Sequence, residues 1–595
     1  MIVPMQKITL LVSAEDRDEA LNRLRQLGLV HIQAVRAPAA EEVHSLQSEL
    51  AGVDRAMELT GVDPDIQPDP AAAVGADAVQ SILALGQERD ELRRELTELQ
   101  ANDAWFQRWG PVSLASVQTL REAGIVVRFY AADKKDLQKL PADAVTQVVA
   151  QTSNGVLLAY FTRDTGDRLE LREETMPPVE VGPMRERMAE IRQRLEQIGT
   201  QLEQQAVKGP GLALHRLRLT ARLELATVKH GMGVEGPIAY LQGFCPEEQV
   251  NRVKRAAADH GWAYAIQDPD DPQQVPTLVR SPAWVRIIKP VFAFMGTVPG
   301  YHEYDISAWF LLFFGLFYAM LVGDGGYGLI FLGATVYARR KMRQAPPEPF
   351  RLMYVLSLAT IGWGAISGTW FGMEGILDIP ALSFLGLVVI EPISSMGGDQ
   401  DFMMHLCFLI GAIQLSIAHA LIGLRRIRSA QALAQLGWIG IIWSLFFIAG
   451  TLVLGREFPV FAPTLLGGSV TLVLLFANYQ PNVLKGVLIT LGDLPLSIIS
   501  SFSDVVSYLR LFAVGFATFI VANSFNQMAA EAGVGLLGSI AAAVILFLGH
   551  GINIILALMA VVVHGIRLNM LEFSGHLNMQ WSGVPYRPFK ATEAE

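Results

Sequence analysis

Cysteine is almost absent from this sequence, and several chemistry-bearing motifs are missing altogether. The 595 residues include two cysteines, Cys245 and Cys407, in segments of opposite polarity, so no disulfide framework is predicted. No cluster of cysteine and histidine indicates a metal site, and no cofactor is expected. No G-x-x-x-x-G-K-[ST] motif occurs, so this chain is not expected to hydrolyse a nucleotide by itself, and no catalytic residue is assigned.

Charge is scarce as well, and basic stretches in particular. Only 17% of residues are charged and the net charge is −10, with no basic patch interleaved with aromatics, which argues against nucleic acid as a partner. The first residues lack a basic region followed by an apolar core, so no secretory signal is predicted and the N-terminal half is expected in the cytosol.

The composition changes sharply near residue 300. Apolar residues make up 51% of the chain and the mean hydropathy is +0.33, but residues 1–300 are rich in Glu, Arg, Asp and Gln. From about residue 305 apolar runs dominate. The sequence therefore predicts elongated cytosolic α/β lobes joined by an antiparallel coiled coil, followed by an all-α membrane domain of about eight transmembrane helices.

The N-terminal half alternates between lobes and helical arms. Strand–helix–strand patterns predict one membrane-proximal α/β lobe from residues 1–38 and 232–266, and a distal lobe from residues 105–182. Residues 39–104 and 183–231 are predicted to form the arm, and 267–305 the linker into the membrane domain, residues 306–595. A heptad seam supports the coiled coil, with apolar residues spaced 4, 3, 4, 3 and 4 apart: Met184, Met188, Ile191, Leu195, Ile198 and Leu202.

The first apolar run, about 306–338, is interrupted by Gly323, Asp324, Gly325 and Gly326. Basic clusters stand on both sides of it, at 280–289 and at 339–343. Basic residues favour the cytosolic side, so a hairpin of two short helices fits better than one crossing. One steeply tilted helix is the alternative. With the hairpin, eight crossings place both termini in the cytosol and the 377–401 loop outside.

Two arginines, Arg510 and Arg567, interrupt the last two apolar runs. A guanidinium at bilayer depth costs roughly 2.5–3.5 kcal/mol on insertion scales, so such a residue usually faces protein or water. A functional site is therefore predicted. The alternative for Arg567 is snorkelling to the interface.

Other polar residues lie on both sides of the two arginines along the predicted helices. On an α-helical wheel Glu572 lies about 140° from Arg567, so it need not pair with Arg567. The distribution predicts two half-channels separated by a positive barrier. The candidates are Asp504, Ser507, Asn523, Asn526, Gln527, His550, Asn553, His564 and Glu572.

These motifs carry a resemblance. Residues 507–513 (SYLRLFA), 564–573 (HGIRLNMLEF) and 323–328 (GDGGYG) resemble subunit a, or subunit I, of V-type and A-type rotary ATPases. Shorter matches at 276–277, 301–305, 370–372 and 586–589 extend the similarity over the whole chain. The resemblance implies a stator subunit of a prokaryotic cytoplasmic membrane, with Arg510 and Arg567 at the positions of the family's two arginines.

Partners also follow from the resemblance. The membrane half would face a rotating ring of c-type proteolipids that carry H⁺ or Na⁺ on carboxylates, and the cytosolic arm would bind peripheral stalks. Central-stalk and catalytic subunits would belong to the same complex, in a lipid bilayer. The chain departs from eukaryotic members at Thr518, where they have histidine, and at Ala557, where they have glutamate. Half-channel residues are therefore not transferred from those relatives.

Two other classes stay open from the residues alone. A secondary ion-coupled transporter with a cytosolic regulatory domain predicts internal repeats, and none is convincing here. A non-conducting membrane scaffold leaves two membrane arginines unexplained.

The hairpin makes a topological prediction. A single cysteine replacing Arg340 should resist labelling by an impermeant thiol reagent added to intact cells, whereas one replacing Asp401 should react, because these positions are predicted on opposite sides. Labelling at position 340 from outside would contradict the hairpin.

Overall fold

A computed structural model describes residues 1–64, 66–133, 140–141, 144–152, 155–373, 389–393, 399–479, 483–533 and 535–591. Most of the predicted outer loop 377–401, including Asp378, lies outside the described residues. The chain divides into two compact units. The first comprises Met1–Ile8, Phe244–Arg252 and Ile266–Pro588, and the second Thr9–Gly243, Val253–Ala265 and Phe589–Glu595.

The N-terminal half mixes strands and helices, as the strand–helix–strand patterns predict. Its strands are β1 (Met5–Ser13), β2 (His31–Gln33), β3 (Val126–Ala132), β4 (Val145–Thr152), β5 (Gly155–Thr162), β6 (Arg172–Glu174), β7 (Gly233–Glu235), β8 (Ile238–Pro246) and β9 (Ala263–Gln267). Its helices are α1 (Arg17–Leu27), α2 (Glu41–Thr60), α3 (Ala76–Trp109), α4 (Leu114–Glu122), α5 (Val181–Ala206), α6 (Gly209–Gly231) and α7 (Val250–Asp259).

Two sheets gather strands that are distant in sequence. One has the order β2-β8-β1-β9, with β7 on β8. The other has the order β4-β5-β3-β6. In it, β3 and β5 pair antiparallel with Phe129 opposite Ala159. Both side chains pack with Trp105 and Trp109 from the end of α3.

Helices α3 and α5 run antiparallel, as their cross-pairs show. Arg185 Nε lies 2.8 Å from Asp103 Oδ1, and further along, Arg194 Nε lies 2.6 Å from Glu88 Oε1. Residue numbers rise on one helix as they fall on the other. The hydrogen bond from Arg185 holds the pKa of Asp103 below its ordinary value. Along the predicted seam Leu195 is half-buried, and the other five residues are buried.

The C-terminal half is helical apart from β10 (Pro276–Thr277), which pairs in parallel with β11 (Val584–Pro585). Its helices are α8 (Lys289–Met295), α9 (Ser307–Val322), α10 (Gly325–Lys341), α11 (Pro347–Ser367), α12 (Gln400–Arg425), α13 (Gln431–Leu454), α14 (Ala462–Phe476), α15 (Val483–Ser507), α16 (Leu509–Glu531) and α17 (Leu536–Ala560). Two π-helical segments, Val561–Gly565 and Leu568–Phe573, continue from α17.

Judged by length and composition, fewer helices qualify as membrane crossings than the eight that the sequence predicts. Among the described residues, five helical stretches qualify, and α9 with α10 makes a sixth if that pair forms one span. The pair is bent by 118°, so a single straight tilted helix over 306–338 is excluded. Helix α14 has only 15 residues, about 22 Å at 1.5 Å each, less than the roughly 30 Å of a bilayer core.

The predicted helix over 486–530 is interrupted. Helix α15 ends at Ser507 and α16 begins at Leu509, with Tyr508 between them. Together, Leu484–Glu531 cover 48 residues, about 72 Å of helix. This length is more than twice the thickness of the hydrocarbon core. If the stretch stands upright in a bilayer, part of it must therefore extend beyond the core.

Burial along α5 makes a prediction for the arm. Ile198 is fully buried in a core formed with α2, α3 and α6, so Ile198→Ala should destabilise it by about 2–5 kcal/mol. Half-buried Leu195→Ala, three residues away, should cost less. Hydrogen exchange of the α5 amides in the whole detergent-purified chain measures both. Equal acceleration by the two variants would contradict the unequal burial.

Candidate functional site

The turn at Tyr508 sets the position of Arg510. Tyr508 is fully buried, and its hydroxyl donates to Gln414 Oε1 over 2.8 Å. Gln414 in turn donates to Asn569 Oδ1 over 3.0 Å. This buried chain joins α12, the α15–α16 turn and the second π segment. Arg510 therefore stands in the first turn of α16 close to the last helix.

Arg567 and Glu572 are brought together by the π-helical segment Leu568–Phe573. In a π helix the hydrogen bonds run from residue i to i+5, so residues five apart come near the same face. Arg567 Nε lies 3.6 Å from Glu572 Oε1. The sequence alone leaves this pairing open, because a wheel at 100° per residue separates the two residues.

Glu572 contacts both arginines through one oxygen. Arg510 Nη2 lies 3.7 Å from Glu572 Oε1, the atom that also faces Arg567. The carboxylate side chain is 3% exposed, that of Arg510 21% and that of Arg567 53%. One buried carboxylate thus stands between two guanidinium groups, which leaves a formal charge of +1 on the three side chains.

Three polar atoms at this place have no hydrogen-bond partner among the described residues. They are Arg510 Nη1, His564 Nδ1 and Glu572 Oε2, all inaccessible to solvent. Leaving a buried polar atom unpaired costs about 1–3 kcal/mol, and more for a charged group. The arrangement therefore retains hydrogen-bonding capacity for a further polar or charged group.

A cavity of about 510 Å³ adjoins Glu572 and Arg567. Its wall also carries Asp504, whose Oδ2 lies 3.1 Å from His576 Nε2, and His419 from α12. Ser497, Ser500 and Ser501 complete its polar lining from α15. Polar groups thus line a path up to the arginine cluster.

A second polar group lies further along α16 and α17. The Tyr327 hydroxyl is 2.8 Å from His550 Nδ1, and His550 Nε2 is 3.1 Å from Asn526 Oδ1. Buried Asn553 donates both to Tyr327 and to the Thr518 carbonyl, over 3.0 and 2.9 Å. Counting residues from Arg510, Thr518 and Asn526 stand about 12 and 24 Å along α16.

Asp324 closes the hairpin predicted at residues 323–326. Its carboxylate caps α10 by accepting from Gly326 N at 2.7 Å and Tyr327 N at 3.3 Å. It also accepts from Phe371 N and Gly372 N, each at 2.8 Å.

The hairpin glycines have distinct roles. Gly323 ends α9 with φ +68°, a conformation that favours glycine. A Cβ at Gly326 would lie 2.6 Å from the Phe371 ring, and one at Gly325 would lie 2.9 Å from Trp370. Small residues thus let the hairpin lie against residues 370–372.

The other predicted site residues lie on α15 and α16. Ser507 ends α15 half-buried outside the cavity wall, and Gln527 is exposed. Asn523 lies on α16 half-buried beside Gly372. Sequence reasoning missed His419 and Gln414. Their only signal was a polar residue within the apolar run of α12.

The described residues include no group of three or more His, Cys, Asp or Glu side chains placed to hold a metal ion.

Comparison with known proteins gives matches over the full length. The chain is 30% identical to V-type ATP synthase subunit I of Borreliella burgdorferi, covering 99% of each chain. It is 29% identical to V-type ATP synthase subunit I 1 of Treponema pallidum, over 99% of this chain and all of that one. Against A-type ATP synthase subunit I of Methanocaldococcus jannaschii, identity is 27% over 59% of this chain and 55% of that one.

Two other comparisons contribute less. A crystal structure of the cytoplasmic N-terminal domain of subunit I, homolog of subunit a, of V-ATPase matches 44% of this chain and all of that one. Identity is 18% and the TM-score 0.25, so this likeness carries no argument about the fold. No protein-family model matches the chain.

The Asp324 contacts predict a stability effect. Asp324→Ala should leave four backbone N–H groups without their acceptor, which should lower the free energy of unfolding by about 3 kcal/mol or more. Asp399→Ala, at the exposed N-cap of α12, should cost only about 0.5–2 kcal/mol. Thermal unfolding of the detergent-purified chain compares them, and a smaller shift for Asp324→Ala would contradict the assigned role.

Proposed function

Because the chain belongs to the subunit I family of V-type and A-type ATP synthases, and is thus a membrane stator subunit of a rotary ATPase, we propose that its helical half carries H⁺ or Na⁺ to and from a rotating proteolipid ring. Two aqueous half-channels would connect the ring carboxylates to opposite sides of the membrane. The arginine cluster would stand between the half-channels.

The observation that carries this proposal is the incomplete charge cluster around Glu572. Its formal charge is +1, and Arg510 Nη1 and His564 Nδ1 have no partner among the described residues. One ionised ring carboxylate would neutralise that charge and accept hydrogen bonds from Arg510. Near a cation a carboxylate pKa falls by about 1–3 units, so the ring group would release its ion here.

The polar groups on either side of the arginines supply the half-channels. The cavity group of Asp504, His576 and His419 lies toward the C-terminal end of α12, next to the basic cluster at 425–428. Basic clusters favour the cytosolic side, so this group is assigned to the cytosolic half-channel. The group of Tyr327, His550, Asn526 and Asn553 belongs to the outer half-channel. Ser507, Asn523, Gln527 and His564 stay secondary candidates.

Helix lengths are compatible with the eight-crossing topology if α9 and α10 each cross the membrane as a hairpin and α14 crosses a thinned region. The crossings would then be α9, α10, α11, α12, α13, α14, α15 with α16, and α17 with its π-helical continuation. In the cytosol, the antiparallel α3–α5 pair would form a coiled-coil arm, residues 39–104 with 183–231, between the two lobes. Peripheral stalks would attach to that arm and hold this subunit against torque.

The decisive experiment is ATP-driven ion flux in vesicles that contain the whole complex. Arg510→Ala should abolish coupled flux without preventing assembly, because the ring carboxylate would lose its main partner. Arg510→Lys should also be impaired, since an ammonium lacks the planar fork that contacts two acceptors at once. Arg567→Ala should be milder, because that side chain is more exposed.

Arg456→Ala, at an exposed arginine beyond α13, is the matched control and should pump normally. Near-normal pumping by an assembled Arg510→Ala complex would overturn the proposed role.

A further inference from the structure

The turn at residues 370–372, one of the segments that carry the resemblance, holds a phenylalanine in the left-handed backbone region. Phe371 has φ +55°, an outlier for a bulky side chain. Its N–H donates to Asp324 Oδ1 and its carbonyl accepts from Asn526 Nδ2, each over 2.8 Å. Its ring packs edge-on against the His550 ring. A strained conformation that several contacts maintain indicates a functional role.

The Phe371 carbonyl decides the orientation of the Asn526 amide. A carbonyl oxygen only accepts hydrogen bonds, so the amide nitrogen must face it and the amide oxygen must face His550. The opposite orientation would bring two acceptor oxygens to 2.8 Å from each other. His550 Nε2 lies 3.1 Å from the amide oxygen and therefore carries a proton.

A second backbone carbonyl fixes the other end of this polar group. Asn553 Nδ2 donates to the Thr518 carbonyl over 2.9 Å and to the Tyr327 hydroxyl over 3.0 Å. The hydroxyl, whose oxygen accepts from Asn553, directs its proton toward His550 Nδ1, 2.8 Å away. With a neutral His550 ring protonated at Nε2, each of these donors has an acceptor. A second proton, on Nδ1, would take the acceptor from the Tyr327 hydroxyl.

We propose that Phe371 is a positioning residue of the outer half-channel, which holds His550 as a neutral imidazole that no transported proton occupies. Both ends of the hydrogen-bonded chain are backbone carbonyls. Carbonyls cannot donate, so the chain cannot reverse its direction to relay a proton. The group shapes the wall of the half-channel, and the ion passes beside the imidazole. This inference rests on the proposed function and assigns residues 370–372 a role in it.

The ionisable groups that face His550 are compatible with a neutral ring. Helix α10 brings Tyr327 and, at its N-cap, Asp324. The Asp324 carboxylate accepts from four backbone N–H groups, two in α10 and two in the 370–372 turn. Those hydrogen bonds stabilise its charged form, so it does not require an imidazolium nearby. From α16, the neutral amide of Asn526 faces the ring.

Substitutions at Phe371 test the backbone role, with ATP-driven ion flux measured in vesicles that contain the whole complex. Glycine adopts φ +55° freely, alanine with strain and valine very poorly. Pumping by Phe371→Gly should therefore exceed that by Phe371→Ala, although both lack the ring. Phe371→Val should pump at least about fivefold more slowly than wild type.

Phe458→Val, at an exposed phenylalanine beyond α13, is the matched control and should pump normally. If Phe371→Val does not assemble, the order of the glycine and alanine variants still decides. Pumping by Phe371→Ala that equals or exceeds that by Phe371→Gly would overturn the backbone role.

Two variants of His550 test the neutral ring. In His550→Gln the amide nitrogen can donate to Asn526 and the amide oxygen can accept from Tyr327, which reproduces the hydrogen bonds of the neutral imidazole. In His550→Leu neither bond can form. Pumping by His550→Gln should exceed that by His550→Leu by at least about fivefold. An equal loss in both would indicate that the imidazole itself carries the proton, and would overturn the proposal.

Nitrogen-15 NMR of the whole detergent-purified chain, labelled at histidine, measures the tautomer directly. The His550 signals are those that disappear in His550→Gln. Wild type should show a protonated Nε2 and an unprotonated Nδ1, and Asn526→Leu should give a mixture of tautomers. An imidazolium in wild type at neutral pH would contradict the assignment. The Arg510→Ala flux still tests the rotary function separately, because it does not depend on the tautomer of His550.

Discussion

The membrane half depends on how it pairs charge inside an apolar medium. Two guanidinium groups and one carboxylate meet at Glu572 Oε1, and the carboxylate is nearly inaccessible. Removing Glu572 would leave the two guanidinium groups facing each other without a counter-charge, which is far costlier than the intact cluster. A cluster with a +1 excess is stable only if something else balances it. In the proposed rotary cycle a single ring carboxylate would do so.

Irregular backbone makes the cluster possible. An α-helical wheel separates Arg567 from Glu572, whereas the π-helical segment Leu568–Phe573 brings them together. The turn at Tyr508 similarly directs Arg510, through the buried hydrogen bonds to Gln414 and Asn569. Wider turns and breaks in transmembrane helices are stable only where protein covers the backbone. Here, side-chain hydrogen bonds between helices α12, α15 and the last helix offset the free-energy cost of the irregular backbone.

Much of this architecture is predictable from the sequence, and the features that were not predicted were missed for identifiable reasons. Strands β1, β3, β5 and β8 follow from β-rich runs, and both arginines stand out because charge is rare in apolar segments. The helical wheel separated Glu572 from Arg567 because it assumes α-helical geometry throughout. His419 was missed because its partner His576 is 157 residues away in the chain. A break in the first apolar run was predicted from residues 323–326 and the flanking basic clusters, but the acceptor role of Asp324 toward Phe371 and Gly372 depends on a tertiary contact that local pattern does not contain.

In the proposed function, the gap between the two polar groups would be crossed only with a moving partner. Between Arg510 and Thr518, α16 presents Leu511, Phe512, Ala513, Val514, Gly515, Phe516 and Ala517. No side chain in that stretch can bind or relay an ion, and it spans about 12 Å. An ion crossing it without a carrier would face both an apolar medium and the positive potential of the arginines. In the proposed cycle a ring carboxylate that is neutral when loaded would meet neither penalty, so the ion would cross this stretch on the ring. On this proposal, coupling to rotation would follow from the electrostatics of one short apolar stretch beside two arginines.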